Sequence, residues 1–250
     1  MAGTVRYIEL DAARGVAILM MILFHTLFDL SFFQLYPVNV ASGFWRYFAF
    51  ATASLFLLIA GISLSLSHAR ALHSIQTRAG IVIKYLKRGA FIFVLGLLVT
   101  LATYLYLHEG FVIFGILQVI GVSIMLSPLF FRFNEKNILI GAVLIVIGMV
   151  FSFASIDGPL WLVPVGIHPA DFWSVDYEPV FPWSGLVLIG MGLGSYIYKN
   201  EKRAFTLPDN VMRFFIPLSF LGRHSLLIYL VHQPAILLIM QVLTGARVYW

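Results

Sequence analysis

The sequence predicts an all-α integral membrane protein: a bundle of about seven transmembrane helices, with its N-terminus in the cytoplasm and its C-terminus outside. Hydrophobic residues make up 61% of the 250-residue chain and charged residues only 11%, whereas about a quarter of a soluble domain is charged. The apolar residues fall into runs near the roughly 20 residues that a helix needs to cross a bilayer. No polar, Pro- and Gly-rich linker divides residues 1–250, so we expect a single domain.

Short polar or basic segments separate the predicted spans. The spans cover residues 12–33, 44–66, 82–107, 111–131, 137–155, 182–198 and 222–243. The first is too long for the apolar region of a signal peptide and carries ionisable residues, so we keep it as a span. A moderately apolar stretch from Val211 to Phe220 predicts a short interfacial helix.

Basic residues indicate the orientation of the bundle. With a cytoplasmic N-terminus, 14 of the 16 Lys and Arg residues lie on or near the cytoplasmic side, and only Arg46 and Arg247 lie outside. We therefore expect a multi-pass protein of the cell membrane, inner or plasma. The formal charge of +5 fits contact with an anionic lipid leaflet better than with nucleic acid. We also expect the bundle to form a homodimer.

The first span carries ionisable side chains along one face. At about 100° per residue, His25 returns to within about 20° of Arg14. By the same arithmetic Asp11 and Asp29 each lie about 60° from that line, on the same side. Eleven rises of ~1.5 Å put His25 roughly 16 Å from Arg14, near the middle of the membrane. Packing and snorkelling are the alternative explanation, but four such groups on one face favour a functional site.

The second, third and fourth spans differ in the chemistry they offer. Small residues in the second, among them Ser54 and Gly61, predict close helix packing. The third starts with Lys84, Lys87 and Arg88, whose spacing brings their heads together at the cytoplasmic end. They are either flanking charges or, with Arg14 and Arg223, a receptor for the phosphates of a cytosolic polyanion. Gln118 in the fourth span is a weaker candidate for a cavity wall.

The longest outer segment, Ile156 to Phe181, contains four acidic residues and no Lys or Arg. It is rich in Pro and Trp, so we expect it to fold onto the bundle. The last span repeats polar groups at helical spacing, with Tyr229 and His232 on one face and Gln233-Pro234 following. His232 lies about nine rises, ~14 Å, from Arg223, so two histidines reach similar depth on the first and last spans.

Some chemistries find no support. The chain has no cysteine, which removes disulfides, thiolate nucleophiles and Cys-ligated metals. It also lacks a Gly-rich phosphate loop, a His-x-Glu metal signature and a Ser-centred elbow, so we expect no metal.

Arg14, ten intervening residues and His25 resemble the R-x10-H motif of transmembrane acyltransferases that modify cell-surface glycans. Their context, Asp11-Ala-Ala-Arg14-Gly and Leu-Phe-His25-Thr-Leu-Phe-Asp29, is closer still to the catalytic domain of heparan-α-glucosaminide N-acetyltransferase and its prokaryotic relatives. Similar segments recur along nearly the whole chain: Ser54-Leu-Phe-Leu-Leu-Ile-Ala-Gly61, Asp176-Tyr177-Glu-Pro179-Val-Phe-Pro182-Trp183 and Tyr229-Leu-Val-His232-Gln233-Pro234.

The resemblance implies a transferase that passes an acetyl group from cytoplasmic acetyl-CoA, its co-substrate, to a sugar hydroxyl or amine outside. By position, Arg14 would bind CoA phosphates and His25 would be the catalytic histidine, acting as general base. We add Asp29, His232 and Tyr229 as catalytic candidates. The expected CoA-binding residues are Arg14, Lys84, Lys87, Arg88, Arg223, Ser54 and Gln118, and the expected acceptor-binding residues are Asp176, Tyr177, Trp183 and Gln233.

Two other function classes stay open. In a proton-coupled transporter or permease, His25, Asp29 and His232 would form a proton relay or solute site, which explains the intramembrane charges but not the basic cytoplasmic cluster. A non-catalytic lipid-binding or assembly protein would bind no CoA and form no acetylated product. Stabilisation by acetyl-CoA but not by ions separates the acyltransferase from both.

Overall fold

The computed structural model describes residues 6–154 and 156–245, so Arg247 lies outside the described residues. Within these ranges the chain forms eight α-helices: α1 (Ile8–Phe32), α2 (Gly43–Ser74), α3 (Arg78–Leu107), α4 (Ile116–Leu126), α5 (Asn137–Ala154), α6 (Val180–Ile197), α7 (Asp209–Arg223) and α8 (Ser225–Thr244). Short 3₁₀ turns cover Ser127–Leu129, Phe131–Lys136, Leu160–Val165 and Lys199–Glu201. The described residues contain no β-strand beyond two isolated bridges, so the predicted all-α class is confirmed.

Local sequence signals set several of the helix ends. Thr77 precedes α3, and its hydroxyl accepts a hydrogen bond from the Gly80 N–H at 3.1 Å, which satisfies a donor that the first turn leaves unpaired. Pro179 and Pro208 immediately precede α6 and α7. Gly245 ends α8 in a left-handed conformation with φ 61°, which a residue without Cβ adopts at little cost.

Six of the described helical segments are long and apolar enough to cross a membrane: α1, α2, α3, Phe131–Ala154, α6 and α8. The fourth predicted span corresponds to a shorter apolar segment, Ile116–Leu129. Its α-helical part, α4, has 11 residues, about 16 Å of rise against a hydrocarbon core of about 30 Å. Residues 111–115, which the predicted fourth span includes, form a loop instead.

Large apolar side chains face outward on the long helices. Phe91 and Leu105 on α3 are 60% and 65% exposed, and Leu139 and Phe153 on α5 are 71% and 81% exposed. A soluble surface rarely carries so much contiguous apolar area, whereas lipid solvates it readily. The exterior therefore agrees with the membrane protein that the composition predicts.

The described residues fall into two compact units, the first drawn from residues 1–56 and 206–250 and the second from residues 57–205. In the first unit α1 and α7 touch through their backbones. A Cβ added at Gly15 would lie 2.0 Å from the Leu218 carbonyl oxygen, and one added at Gly222 would lie 1.7 Å from the Asp11 oxygen. Only glycine permits this approach, so α7 is held against the part of α1 that carries Arg14.

In the second unit glycines again bring helix backbones together. A Cβ at Gly61 of α2 would lie 2.0 Å from the Val187 oxygen of α6, and one at Gly190 would lie 2.2 Å from the Leu58 oxygen. Gly141 of α5 and Gly185 of α6 pack in the same way. The small residues of the second predicted span thus serve close helix packing, as expected.

The segment between α5 and α6, residues 156–179, is called the α5–α6 segment below; it folds onto the loop that precedes α4, also within the second unit. The Val175 N–H donates to the Gly110 oxygen and the Glu178 N–H to the Phe114 oxygen, both at 2.8 Å. The Ser174 hydroxyl donates to the Phe111 oxygen at 2.8 Å. The segment is therefore anchored rather than free, as its Pro and Trp content predicts.

Candidate active site

Arg14 lies on α1 beside Asp11, one turn earlier. Its Nη1 donates to Asp11 Oδ1 at 2.8 Å, and the two side chains are 28% and 14% exposed. The α7 contacts at Gly15 and Gly222 flank this pair. Arg14 thus sits on a section of α1 that α7 holds rigidly, a suitable support for a residue expected to bind a phosphate.

Arg223, the other arginine of this unit that we assigned to the phosphates, ends α7 and is exposed. Its Nε donates to the Ser219 oxygen at 3.2 Å, which ties the side chain to its own helix. Ser54, on the part of α2 in the same unit, is half-buried. Contact of either residue with CoA stays a prediction.

His25 of α1 and His232 of α8 are in direct contact. Their ring centroids lie 4.8 Å apart at an interplanar angle of 79°, an edge-to-face arrangement. His232 is 8% exposed, whereas His25 is half-buried. The structure thus brings together the two histidines that we expected at similar depth on the first and last spans.

Each imidazole is held by a backbone carbonyl of its own helix. His25 Nδ1 is 2.9 Å from the Met21 oxygen, and His232 Nδ1 bonds to the Tyr229 oxygen. Since a carbonyl oxygen only accepts, both Nδ1 atoms carry the proton, and in the neutral form each ring presents a lone pair at Nε2. Among the described residues, His232 Nε2 is buried and has no hydrogen-bond partner.

Asp29 is buried and is held by α8. It is 2% exposed, and Gln233 Nε2 donates to both of its oxygens at 2.8 Å. No hydrogen bond between Asp29 and His25 is among the described contacts, and His25 Nδ1 is engaged by the Met21 oxygen. Asp29 lies one helical turn from His25 on α1, a position from which a carboxylate would stabilise an imidazolium.

Two more predicted residues lie beside this pair. The Tyr229 ring centroid is 5.5 Å from that of His232. Gln233, which we assigned to the acceptor, uses its amide nitrogen on Asp29, while its Oε1 is buried and has no hydrogen-bond partner among the described residues. The site therefore presents two buried acceptor atoms, His232 Nε2 and Gln233 Oε1, to which a bound ligand could donate hydrogen bonds.

The predicted cationic cluster of the second unit lies on the first turns of α3. Lys84 is half-buried with its Nζ 5.5 Å from the centre of the Tyr85 ring, while Lys87 and Arg88 are exposed. Sequence reasoning missed His68, whose ring stacks on Phe131 at 3.8 Å and 6°. A lone histidine near the end of a span carries no signal that predicts this packing.

Asp176 and Tyr177 lie in the α5–α6 segment of the second unit. The Tyr177 hydroxyl donates to the Val163 oxygen at 2.6 Å, and burial raises the pKa of Tyr177 to about 12. Burial, and then the nearby Asp176 carboxylate, raise the pKa of Glu178 well above its usual value. The interaction between the Glu178 and Asp176 side chains acts in the same direction, favouring the protonated form of Glu178. Glu178 is not among the predicted site residues, although the sequence shows an acidic residue on each side of Tyr177.

Gln118 and Trp183 also belong to the second unit. Gln118 is 1% exposed; its Oε1 accepts from the Gly115 N–H at 3.0 Å and its Nε2 donates to Thr100 Oγ1 at 2.8 Å. It thus caps α4 and ties it to α3, which is a structural role, and a contact with CoA stays a prediction. Trp183 is half-buried on the first turns of α6.

Within the described ranges, no group of three or more His, Asp or Glu side chains is placed to hold a metal ion. Membrane-length helices carrying two touching imidazoles and a buried carboxylate define a multi-pass membrane protein with an internal acid–base site.

The family model described as heparan-alpha-glucosaminide N-acetyltransferase, catalytic, matches residues 6–234, and the chain belongs to this family of membrane acetyltransferases. The match confirms the resemblance drawn from the residues. No curated protein and no solved structure matches the chain.

Proposed function

We propose that the protein transfers an acetyl group from acetyl-CoA on the cytoplasmic side of the cell membrane to a sugar hydroxyl or amine on the other side. The observation that carries the proposal is the contact between His25 and His232, with rings 4.8 Å apart, in a chain of a membrane acetyltransferase family. Paired imidazoles supply the proton transfers that acyl transfer from a thioester requires.

The donor is held at the cytoplasmic end. Arg14 binds a phosphate of CoA through its guanidinium fork, with Asp11 fixing one edge of that fork at 2.8 Å. The rise from Arg14 to His25 is roughly 16 Å on an α-helix, a reach comparable to that of an extended pantetheine arm. The charged part of CoA thus stays at the membrane surface while the thioester reaches the histidines. Lys84, Lys87 and Arg88 are candidates for the remaining phosphate charge.

The acceptor meets the acetyl group at the histidine pair. The unpartnered His232 Nε2 and Gln233 Oε1 suit the O–H or N–H donors of a sugar. Asp176, Tyr177 and Trp183 are the candidates for holding the rest of the sugar outside. Asp29 stabilises the positive charge that an imidazole gains during transfer.

A transfer assay with purified protein tests the proposal. Wild-type protein incubated with acetyl-labelled CoA and glucosamine is expected to form labelled acetylglucosamine. Replacement of both histidines, His25→Asn with His232→Asn, should lower the rate by roughly 10²–10⁴-fold, the usual contribution of general acid–base catalysis. His224→Asn is the matched control, because His224 is an exposed histidine whose Nδ1 also bonds to its own helix, at the Phe220 oxygen.

The outcome also separates the alternative function. An acyltransferase is stabilised against heat by acetyl-CoA, whereas a proton-coupled transporter responds to its solute and to pH. If the wild-type protein neither binds acetyl-CoA nor acetylates an acceptor, or if the double variant transfers as fast as the parent, the proposal is wrong.

A further inference from the structure

We propose that the two histidines divide the proton transfers, with neutral His232 taking the proton of the acceptor through Nε2 and protonated His25 giving a proton to the sulfur of the departing CoA. This inference rests on the proposed function and deepens it. It also reverses the assignment from sequence, which made His25 the general base.

The contact between the two rings limits how much charge the pair holds. The His25 and His232 ring centroids lie 4.8 Å apart, and two like charges in contact repel, so the pair carries no more than one proton beyond its two neutral rings. Asp29 lies one helical turn from His25 on α1, and Gln233 Nε2 donates to both of its oxygens at 2.8 Å.

Burial and position place that proton on His25. His25 is half-buried and lies one helical turn from Asp29, whereas His232 is 8% exposed. Burial penalises a charge more strongly than a neutral ring, so His232 is the neutral partner. The buried Nε2 of His232, which has no partner among the described residues, is then a lone pair awaiting the O–H or N–H of an acceptor.

The other acidic and basic residues of α1 are Glu9, Asp11 and Arg14, which lie near the opposite end of the helix from Asp29. Asp29 on α1 and Tyr229 on α8 share the region with the two rings. The basic residues of α7 and of the first turns of α2 are exposed: Arg213, Arg223 and Arg46.

The reaction balances without another reactant. His232 Nε2 removes the acceptor proton as the acceptor oxygen or nitrogen bonds to the thioester carbon. The carbon–sulfur bond breaks, its electron pair goes to sulfur, and His25 protonates that sulfur to give free CoA. The proton has then moved from His25 to His232, and the 4.8 Å ring contact is the route by which it returns.

A change of leaving group tests the assignment. The oxygen ester analogue of acetyl-CoA keeps every CoA contact, but its alkoxide leaves only with a proton, so its reaction depends more strongly on a general acid. With glucosamine as acceptor, His25→Asn should slow acetyl transfer from acetyl-CoA by about 10²-fold or more. It should slow transfer from the oxygen ester at least about ten times further. His232→Asn should slow acetyl transfer from both donors by the same factor. Asparagine retains a side-chain N–H for the Met21 or Tyr229 carbonyl, so these variants keep the local hydrogen bond.

The pH profile gives a second readout. Wild-type protein should show a bell-shaped rate, with one limb for the base and one for the acid. His25→Asn should keep only the base limb, so its rate rises with pH to a plateau. All rates are expressed per unprotonated glucosamine, because the acceptor amine itself titrates near neutral pH. On that scale His232→Asn should keep only the acid limb, so its rate falls as pH rises. His224→Asn should retain the bell and the wild-type ratio of the two donors.

Different results would overturn the proposed function and the division of roles between the two histidines. If wild-type protein moves no acetyl group from acetyl-CoA to glucosamine, the proposed function fails. If wild-type protein transfers but the variant patterns are exchanged, or both variants slow the two donors equally, the division of roles between His25 and His232 is overturned.

Discussion

At the scale of the residue, Asp29 shows how a buried carboxyl group finds a hydrogen-bond partner. The carboxyl group is buried, and both oxygens accept from Gln233 Nε2 at 2.8 Å. This contact joins α1 to α8 next to the two histidines, so Gln233 acts on the site by positioning Asp29. A residue first assigned to the acceptor therefore also has a structural task.

Gln233→Leu should be destabilising, because it leaves the Asp29 carboxylate buried without its donor. Leaving a buried polar group without its hydrogen-bond partner costs about 1–3 kcal/mol. Thermal unfolding of the purified protein measures the effect. In a double-mutant cycle, Asp29→Leu with Gln233→Leu should cost less than the two single changes together. Strict additivity would show that the two side chains do not interact.

Arg14→Ala should raise the KM for acetyl-CoA by about ten- to a hundredfold, the equivalent of ~1.5–3 kcal/mol for a lost hydrogen bond to a charged group. Arg14→Lys should fall in between, since lysine keeps the charge but not the fork. Arg46→Ala is the control, because Arg46 is exposed at the start of α2 and bonds to the Ala41 oxygen at 3.3 Å. An unchanged KM in Arg14→Ala would remove Arg14 from the donor site.

The sequence predicts individual site residues better than their partners. Helical arithmetic placed His25 and His232 at similar depth, and their rings do meet. It did not predict that Asp29 pairs with Gln233, because that contact depends on how α1 and α8 face each other. Nor does spacing show that His25 Nδ1 is taken up by Met21, since the choice between a backbone and a side-chain acceptor depends on the rotamer.

At the scale of the element, the contact between α1 and α7 supports the predicted donor end of the site. Gly15 and Gly222 let the two backbones touch on either side of Arg14. The sequence predicts α7 as a short interfacial helix, and a helix is found at Asp209–Arg223. Its close packing on α1 was not predictable, because single glycines are common in membrane helices and only the partner backbone reveals their use.

Gly15→Leu should push α7 away from α1, because even a Cβ would lie 2.0 Å from the Leu218 oxygen. Overpacking of this kind costs typically about 1–3 kcal/mol. A lower unfolding temperature and weaker binding of acetyl-CoA in calorimetry are expected together. Val16→Leu, at the next residue, is the matched control, since Val16 is 37% exposed. Equal effects of the two changes would contradict a specific role of the Gly15 contact.

The α5–α6 segment should make stability depend on pH through Glu178. Its pKa is raised by burial and by Asp176, so the folded protein keeps a proton that the unfolded chain releases near its usual pKa of 4.5. In the window above 4.5 and up to the raised pKa, the folded state binds more protons, and stability must fall as pH rises. Glu178→Gln should flatten this slope in unfolding experiments across that range. A slope unchanged by Glu178→Gln would show that another group controls it.

At the scale of the whole molecule, the apolar runs predict the long helices closely. The predicted spans 44–66 and 182–198 lie within a few residues of the starts of α2 and α6, at Gly43 and Val180. Hydropathy works here because each crossing must supply its own backbone hydrogen bonds in lipid. Hydropathy does not predict the start of the fourth span correctly. The apolar run there includes a loop that bonds to the α5–α6 segment, and the 11-residue α4 begins only after this loop. Composition does not distinguish an apolar loop from an apolar helix end.

The central claim is that acetyl crosses the membrane while CoA does not. Proteoliposomes with glucosamine trapped inside and doubly labelled acetyl-CoA outside, carrying one label on acetyl and another on adenine, test it directly. We expect acetyl label on glucosamine in the lumen and all adenine label outside, with no luminal product from the His25→Asn, His232→Asn double variant. Product formed only when donor and acceptor share a compartment, or adenine label entering with the acetyl, would contradict the account.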